Sequence, residues 1–126
     1  MTQLVVYGRS TPCPDMYQWD LWIDRHEVEF VGFDIDTDRE ALRKVIAWTG
    51  HQSVPTLVIA DDDGVDPAVA PRPLPKGRGP RAVDRGSMLT EPNPGQVEKF
   101  LERNGIPFQP REPDSSGPTI WNRLFG

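Results

Sequence analysis

Cysteine and histidine are scarce in this chain. Cys13 is the one cysteine among 126 residues, and the two histidines are His26 and His51. A lone cysteine excludes a disulfide within the chain, and with it a disulfide-stapled small domain. These residues also cannot form a Cys/His set at zinc-finger spacing, so no metal is expected. Long apolar runs are missing as well: no stretch approaches the ~18 apolar residues of a membrane-spanning helix. The opening Thr2-Gln3-Leu4-Val5-Val6-Tyr7 lacks the basic start and long apolar run of a signal peptide. The expectation is a cytoplasmic protein with no membrane partner. Positive charge is in deficit, with 14 Lys and Arg against 19 Asp and Glu and a net charge of −5. Such a surface does not attract a phosphate backbone, so nucleic acid is not an expected partner. The local basic stretch from Lys76 to Arg81, with Arg72 just before it, reads as a solvated loop.

The chain does hold enough apolar material for one core. Hydrophobic residues make up 37% of it, including four Trp and five Phe, and its length suits a single domain. Leu4 to Gly8 is a short β-branched run closed by glycine, which reads as a buried strand. Met16, Trp19, Trp22 and Ile23 recur at helical spacing from Pro14 to about His26, with Pro14 at the first helical position. The Trp19/Trp22 pair reads as core or partly exposed helix surface, not as a cofactor stack. Glu29 to Asp34 is a second strand. Thr37-Asp38-Arg39-Glu40 matches a capping box with Thr37 as N-cap, opening a helix to about Trp48 that Gly50 closes. Val54 to Ala60 is a third strand, with Pro55 tolerated at its start. Residues 61–81 hold three successive aspartates and five of the 14 prolines, and read as a long inserted loop. Ala82-Val83-Asp84 is a short edge strand. Asn93, Pro94 and Gln96 open a last helix with Val97, Phe100 and Leu101 on its apolar face, ended by Gly105. Residues 106–126 read as a Pro-rich irregular tail whose apolar end, Ile120 to Phe125, docks on the domain or on a partner. The order β-α-β-α-β-β-α gives an α/β domain over 1–105. Its βαβ opening implies two parallel strands joined by a right-handed crossover.

Cys13 falls directly after a strand and loop and directly before a helix. Free N–H groups and the macrodipole favour negative charge at a helix N-terminus. A thiol in such a place is favoured as thiolate, its nucleophilic form. A small buried cysteine would need no such position.

Tyr7-Gly8-Arg9-Ser10-Thr11-Pro12-Cys13-Pro14-Asp15-Met16 resembles the glutaredoxin active-site segment, where Cys-Pro-x-Cys follows the first strand. Thr49-Gly50-His51-Gln52-Ser53-Val54-Pro55 resembles that family's Thr-Val-Pro segment with its preceding Gly, and the separation of Cys13 from Pro55 fits too. The resemblance covers residues 3–60, and 82–104 loosely. It implies a thioredoxin-like fold: a central mixed four-stranded sheet flanked by helices, with 61–81 inserted before the last strand. It implies a cis bond before Pro55 and a Val54 backbone that pairs with an extended peptide such as glutathione. It also puts Gly86-Ser87 in the place of a Gly-Gly that holds a glutathione carboxylate. Arg9, Ser10, Thr11, Pro12, Pro14 and Gln52 would line the thiol-binding groove. Arg9 is either the cation near thiolate and carboxylate or a surface arginine. His51 either tunes Cys13 or sits in water. Met16 replaces the second cysteine, and Ser10 stands where family members often carry Lys. Pro14-Asp15-Met16 departs from the Cys-Gly-Phe-Ser of the cluster-binding branch.

Two functional readings follow. The first is a monothiol thiol–disulfide oxidoreductase with Cys13 as nucleophile. Its co-substrate is glutathione or another low-molecular-weight thiol, and its substrate is a disulfide-bearing protein. The second is a redox-inactive binding module that uses the groove, the inserted loop or the tail. A monomer or weak homodimer is expected in either case.

Overall fold

Leu4, Val5, Val6 and Tyr7 are each no more than 1% exposed. A strand buried on both faces reads as a continuous apolar run instead of an alternating one, which is why this one is so plain in the sequence. The computed structural model describes residues 2–110. It places this run, β1 (Thr2–Gly8), inside a five-stranded mixed sheet. β1 pairs in parallel with β3 (Val31–Asp34) and antiparallel with β4 (Thr56–Asp61). Beyond β4 lie β6 (Met88–Thr90) and then β5 (Val83–Asp84), giving the order β3-β1-β4-β6-β5. A separate two-stranded ladder joins β2 (His26–Glu27) to β7 (Gln109–Pro110).

Three helices complete the fold. α1 (Pro14–Arg25) forms the crossover between the parallel strands and buries Met16, Trp19, Trp22 and Ile23. Trp19 and Trp22 stack at 5.7 Å and belong to the core. α2 (Arg39–Thr49) ends on Gly50 at φ 81°, a left-handed conformation that favours glycine. α3 (Pro94–Arg103) carries the expected capping box, with the Asn93 side-chain Oδ1 accepting from the Gln96 N–H and the Gln96 Oε1 accepting from the Asn93 N–H. It packs against α1.

Three expectations need correcting. The sheet has five strands, not four, because Met88-Leu89-Thr90 forms a strand between β4 and the expected edge strand. Three residues are too few to show a periodicity of their own. The N-cap of α2 is Asp38, not Thr37: its Oδ1 accepts from the N–H groups of Glu40 and Ala41 at 3.0 and 3.1 Å. The Thr37 N–H and hydroxyl instead turn back to the Asp34 carbonyl. The second strand starts at Val31, two residues later than its composition suggests.

The inserted segment is irregular but fastened. The Tyr7 hydroxyl donates to the Val65 carbonyl at 2.7 Å, and the Ser87 hydroxyl to the Val69 carbonyl at 2.7 Å. Lys44 pairs with Asp66, also at 2.7 Å, and the Ala68 N–H reaches the Ile59 carbonyl. After α3, Ile106 is buried and residues 109–110 pair with β2, so the chain stays with the domain to that point. The rest of the expected tail, Ile120 to Phe125 included, lies outside the described residues.

Asp20 interrupts the apolar side of α1. Its Oδ1 is buried and has no hydrogen-bond partner among the described residues, and burial pushes its carboxyl up to about 6. A carboxyl whose folded value exceeds its unfolded one (~3.9) stabilises the fold fully below that value. The contribution is lost as pH rises through about 6. Asp20→Asn should therefore stabilise the protein at pH 7 by about 1 kcal/mol, once partial solvent screening is allowed for. Paired urea melts should show that gain at pH 7 and none at pH 4. An equal gain at both would contradict it.

Candidate functional site

β1 ends at Gly8, and the chain must then turn to reach α1. Cys13 is the N-cap of that helix, with extended backbone at φ −152° and ψ 153°. Its Sγ accepts the Met16 N–H at 3.4 Å, one of the donors that a helix start leaves unpaired. Its carbonyl accepts the Tyr17 N–H at 3.0 Å. Pro14 follows at the first helical position, where a missing N–H does no harm. Cys13 is partly exposed and free. Met16, in the first turn of α1, is buried against the end of β1. A Cβ on Gly8 would come within 2.7 Å of its Cε, so Gly8 leaves the room that Met16 fills.

The loop before Cys13 is held by two carboxylates. Asp36 accepts from Arg9 Nη2 at 2.7 Å and from the Thr11 N–H at 2.9 Å. Asp34 accepts from the Ser10 N–H at 3.1 Å and from the Asp36 N–H at 2.9 Å. The Arg9 guanidinium and the Thr11 N–H hold the Asp36 carboxyl well below the usual carboxylate range. Asp36 in turn raises Arg9. Besides Asp36, the charge at Cys13 acts on Arg9, which is therefore a cation near Cys13 as well as the partner of Asp36. Its guanidinium also reaches the Gln52 Oε1 at 3.5 Å. Ser10, Thr11 and Pro12 are exposed; Ser10 and Thr11 bring their backbone N–H groups to the site, and the Ser10 hydroxyl also donates to Asp36 at 3.5 Å.

Gln52 leads into Ser53, Val54 and Pro55, all buried, and the Val54–Pro55 peptide is cis. Tyr7 pairs with Thr56 in the sheet, so Pro55 stands beside the end of β1 from which the Cys13 loop departs. Val54 precedes the cis bond, outside the β4 ladder. The Thr56 hydroxyl fixes the turn by donating to the Ser53 carbonyl at 2.9 Å. The Pro55 carbonyl accepts the Glu91 N–H at 2.8 Å. The His51 residue is exposed.

Gly86 and Ser87 are not part of this arrangement. They form the turn between β5 and β6, where the Gly86 carbonyl accepts from Arg103 and Asn104 at the far end of α3. The register pairs Thr56 with Thr90 and Val58 with Met88, so this turn lies down the sheet from Cys13. The residue that stands next to Pro55, just before α3, is Glu91, whose N–H donates to the Pro55 carbonyl. Counting back from the N-cap Asn93, not from the nearest glycine, finds it. Two further residues were missed. Asp36 carries no local signal, and Arg81 lies in a basic stretch whose composition reads as a solvated loop. Its guanidinium in fact joins Asp15 at 2.7 Å and Glu91 at 3.2 Å.

No protein-family model, curated protein or solved structure matches the chain. No group of three or more potential metal ligands occurs among the described residues, and no described helix is long and apolar enough to cross a membrane.

The Asp36 bracket can be tested alone. Asp36→Ala removes two charge-assisted bonds and is expected to cost about 2 kcal/mol by urea melts at pH 7. Because the folded carboxyl is depressed, this contribution is complete above ~3.9 and fades as pH falls below it. Amide exchange at Thr11 should accelerate in the variant. An unchanged Thr11 rate would show that Asp36 does not hold the loop.

Proposed function

We propose that this chain is a glutaredoxin-like monothiol thiol–disulfide oxidoreductase on a thioredoxin-like fold. The observation that carries the reading is Cys13 Sγ at the N-cap of α1, at the same end of the sheet as the cis Val54–Pro55 peptide. The parallel β1-α1-β3 crossover and the antiparallel β4 support the fold assignment.

The chemistry needs one cysteine. The Cys13 thiolate attacks the glutathione sulfur of a protein–glutathione mixed disulfide. The S–S bond breaks, and the protein sulfur leaves as thiolate and takes a proton from water. Cys13 now carries glutathione. A second glutathione, as thiolate, attacks the sulfur of that bound glutathione. Glutathione disulfide departs and the Cys13 thiolate returns. In this reading Val54, outside the β4 ladder, pairs with the extended glutathione backbone as an added strand would. The protein's share is to hold the nucleophile and the strand-like edge together, with the Asp36 bracket fixing the loop between β1 and Cys13.

A second reading rests on a different observation. Met16 fills the position of a resolving thiol as a core side chain, and Arg9 is taken by Asp36. Both suit a redox-inactive binding module that holds a protein partner in the same groove. Reduction of a glutathionylated peptide, with glutathione as reductant, separates the two. Wild type is expected to turn over and Cys13→Ser to match the uncatalysed rate. Equal rates for the two proteins would reject the enzyme reading.

A further inference from the structure

The inserted segment ends beside the groove. Pro80 is buried, the Ala82 N–H donates to the Thr90 carbonyl at 2.8 Å, and the Ala82 carbonyl accepts from Gln96 at 2.9 Å. The backbone on both sides of Arg81 is thus anchored, although the Arg81 side chain is 67% exposed. Its guanidinium donates to both oxygens of Asp15, at 3.0 and 2.7 Å, and to Glu91 at 3.2 Å. Asp15 is two residues beyond Cys13, a step of at most about 7 Å between Cα atoms. Glu91 is the residue whose N–H holds the Pro55 carbonyl. One arginine therefore ties the helix that starts at Cys13 to the turn that carries the cis proline.

The local backbone is unusual. Ala82 at φ 60° and Glu91 at φ 45° are the non-glycine residues with positive φ among those described. Both adjoin the Arg81 contacts, and such conformations persist where the surrounding structure fixes them. Burial, and then the neighbouring Asp15, push the Glu91 carboxyl up, against the opposing pull of Arg81. Two carboxylates thus face one cation beside the nucleophile.

We propose that Arg81 is the charge-selecting residue of the Cys13 groove. Its guanidinium offsets one of the two carboxylates, Asp15 and Glu91, so that a disulfide bearing carboxylates can approach Cys13. Without it the groove favours a disulfide that carries a cation. As a statement about substrates this rests on Cys13 being the nucleophile proposed above. Glutathione, with two carboxylates and one ammonium, is the kind of substrate that Arg81 admits.

The test reads the charge field at Cys13 without requiring turnover. A cationic and an anionic alkyl methanethiosulfonate each react with the Cys13 thiolate, which takes the alkylthio group and releases methanesulfinate. The ratio of the two rates, cation over anion, reports the local charge. Arg81→Ala should raise that ratio about five-fold at low salt, and 1 M salt should abolish the rise. Arg81→Lys should stay within about two-fold of wild type, because the charge remains. Asp15→Asn, with Arg81 intact, should move the ratio the other way and covers the case of an unstable Arg81→Ala protein. Arg103→Ala, which removes a cation paired with Asp84 near the Gly86 turn, should leave the ratio unchanged. A folded Arg81→Ala protein with the wild-type ratio would overturn the proposal, as would an equal shift in Arg103→Ala. A shifted ratio in a protein that fails to reduce glutathionylated peptide would reject the enzyme reading and keep the role of Arg81.

Discussion

The carboxylate of Asp36 holds the site in its shape. The chain leaves β1 at Gly8 and must place Cys13 at the start of a helix five residues later. That stretch contains neither regular structure nor a buried side chain to fix it. Asp36 supplies the missing contacts from the end of the neighbouring parallel strand, through Arg9 and the Thr11 N–H. Asp34 adds the Ser10 N–H. The parallel pairing of β1 with β3 makes this possible, since it brings the ends of both strands to one edge. Arg9 extends the bracket to Gln52, so the Cys13 loop and the segment leading to the cis proline share one cation.

A second cation does the same work on the other side. Arg81 joins Asp15 in the first turn of α1 to Glu91 before α3. The inserted segment, which composition alone marks as a loose loop, is thereby tied to the helix that Cys13 caps. Its earlier residues are sewn to the sheet through Tyr7 and Ser87. The insertion is thus fastened to the sheet, and its last residue adds a charged contact beside the start of α1.

What could be read from the sequence was local. The buried run Leu4 to Tyr7, the Gly50 stop, the Asn93–Gln96 capping box and the place of Cys13 before a helix each depend on residues a few positions apart. The helix that begins at Asp38 was found but started one residue early, because Thr37 and Asp38 are both competent caps and only the turn at Asp34 chooses between them. What could not be read was long-range. Asp36 lies 25 positions from Thr11, and Arg81 lies 66 positions from Asp15. Aspartate and arginine in loops have no periodicity to announce a partner. Met88 to Thr90 is a strand because β4 and β5 flank it, not because three residues prefer to be one. Gly86 drew attention as a glycine near a helix, yet its positive φ serves a turn at the opposite end of that helix.

Met16 narrows the chemistry. Buried against Gly8, it leaves Cys13 as the one thiol and makes any disulfide formed there intermolecular. The most direct test of the account is therefore the state of Cys13 after exposure to glutathione disulfide, read by mass spectrometry of the intact protein. The account predicts a single glutathione on Cys13 that excess glutathione removes, and none on Cys13→Ser. A Cys13 that stays free after prolonged exposure, while a small-molecule thiol in the same solution exchanges, would contradict it.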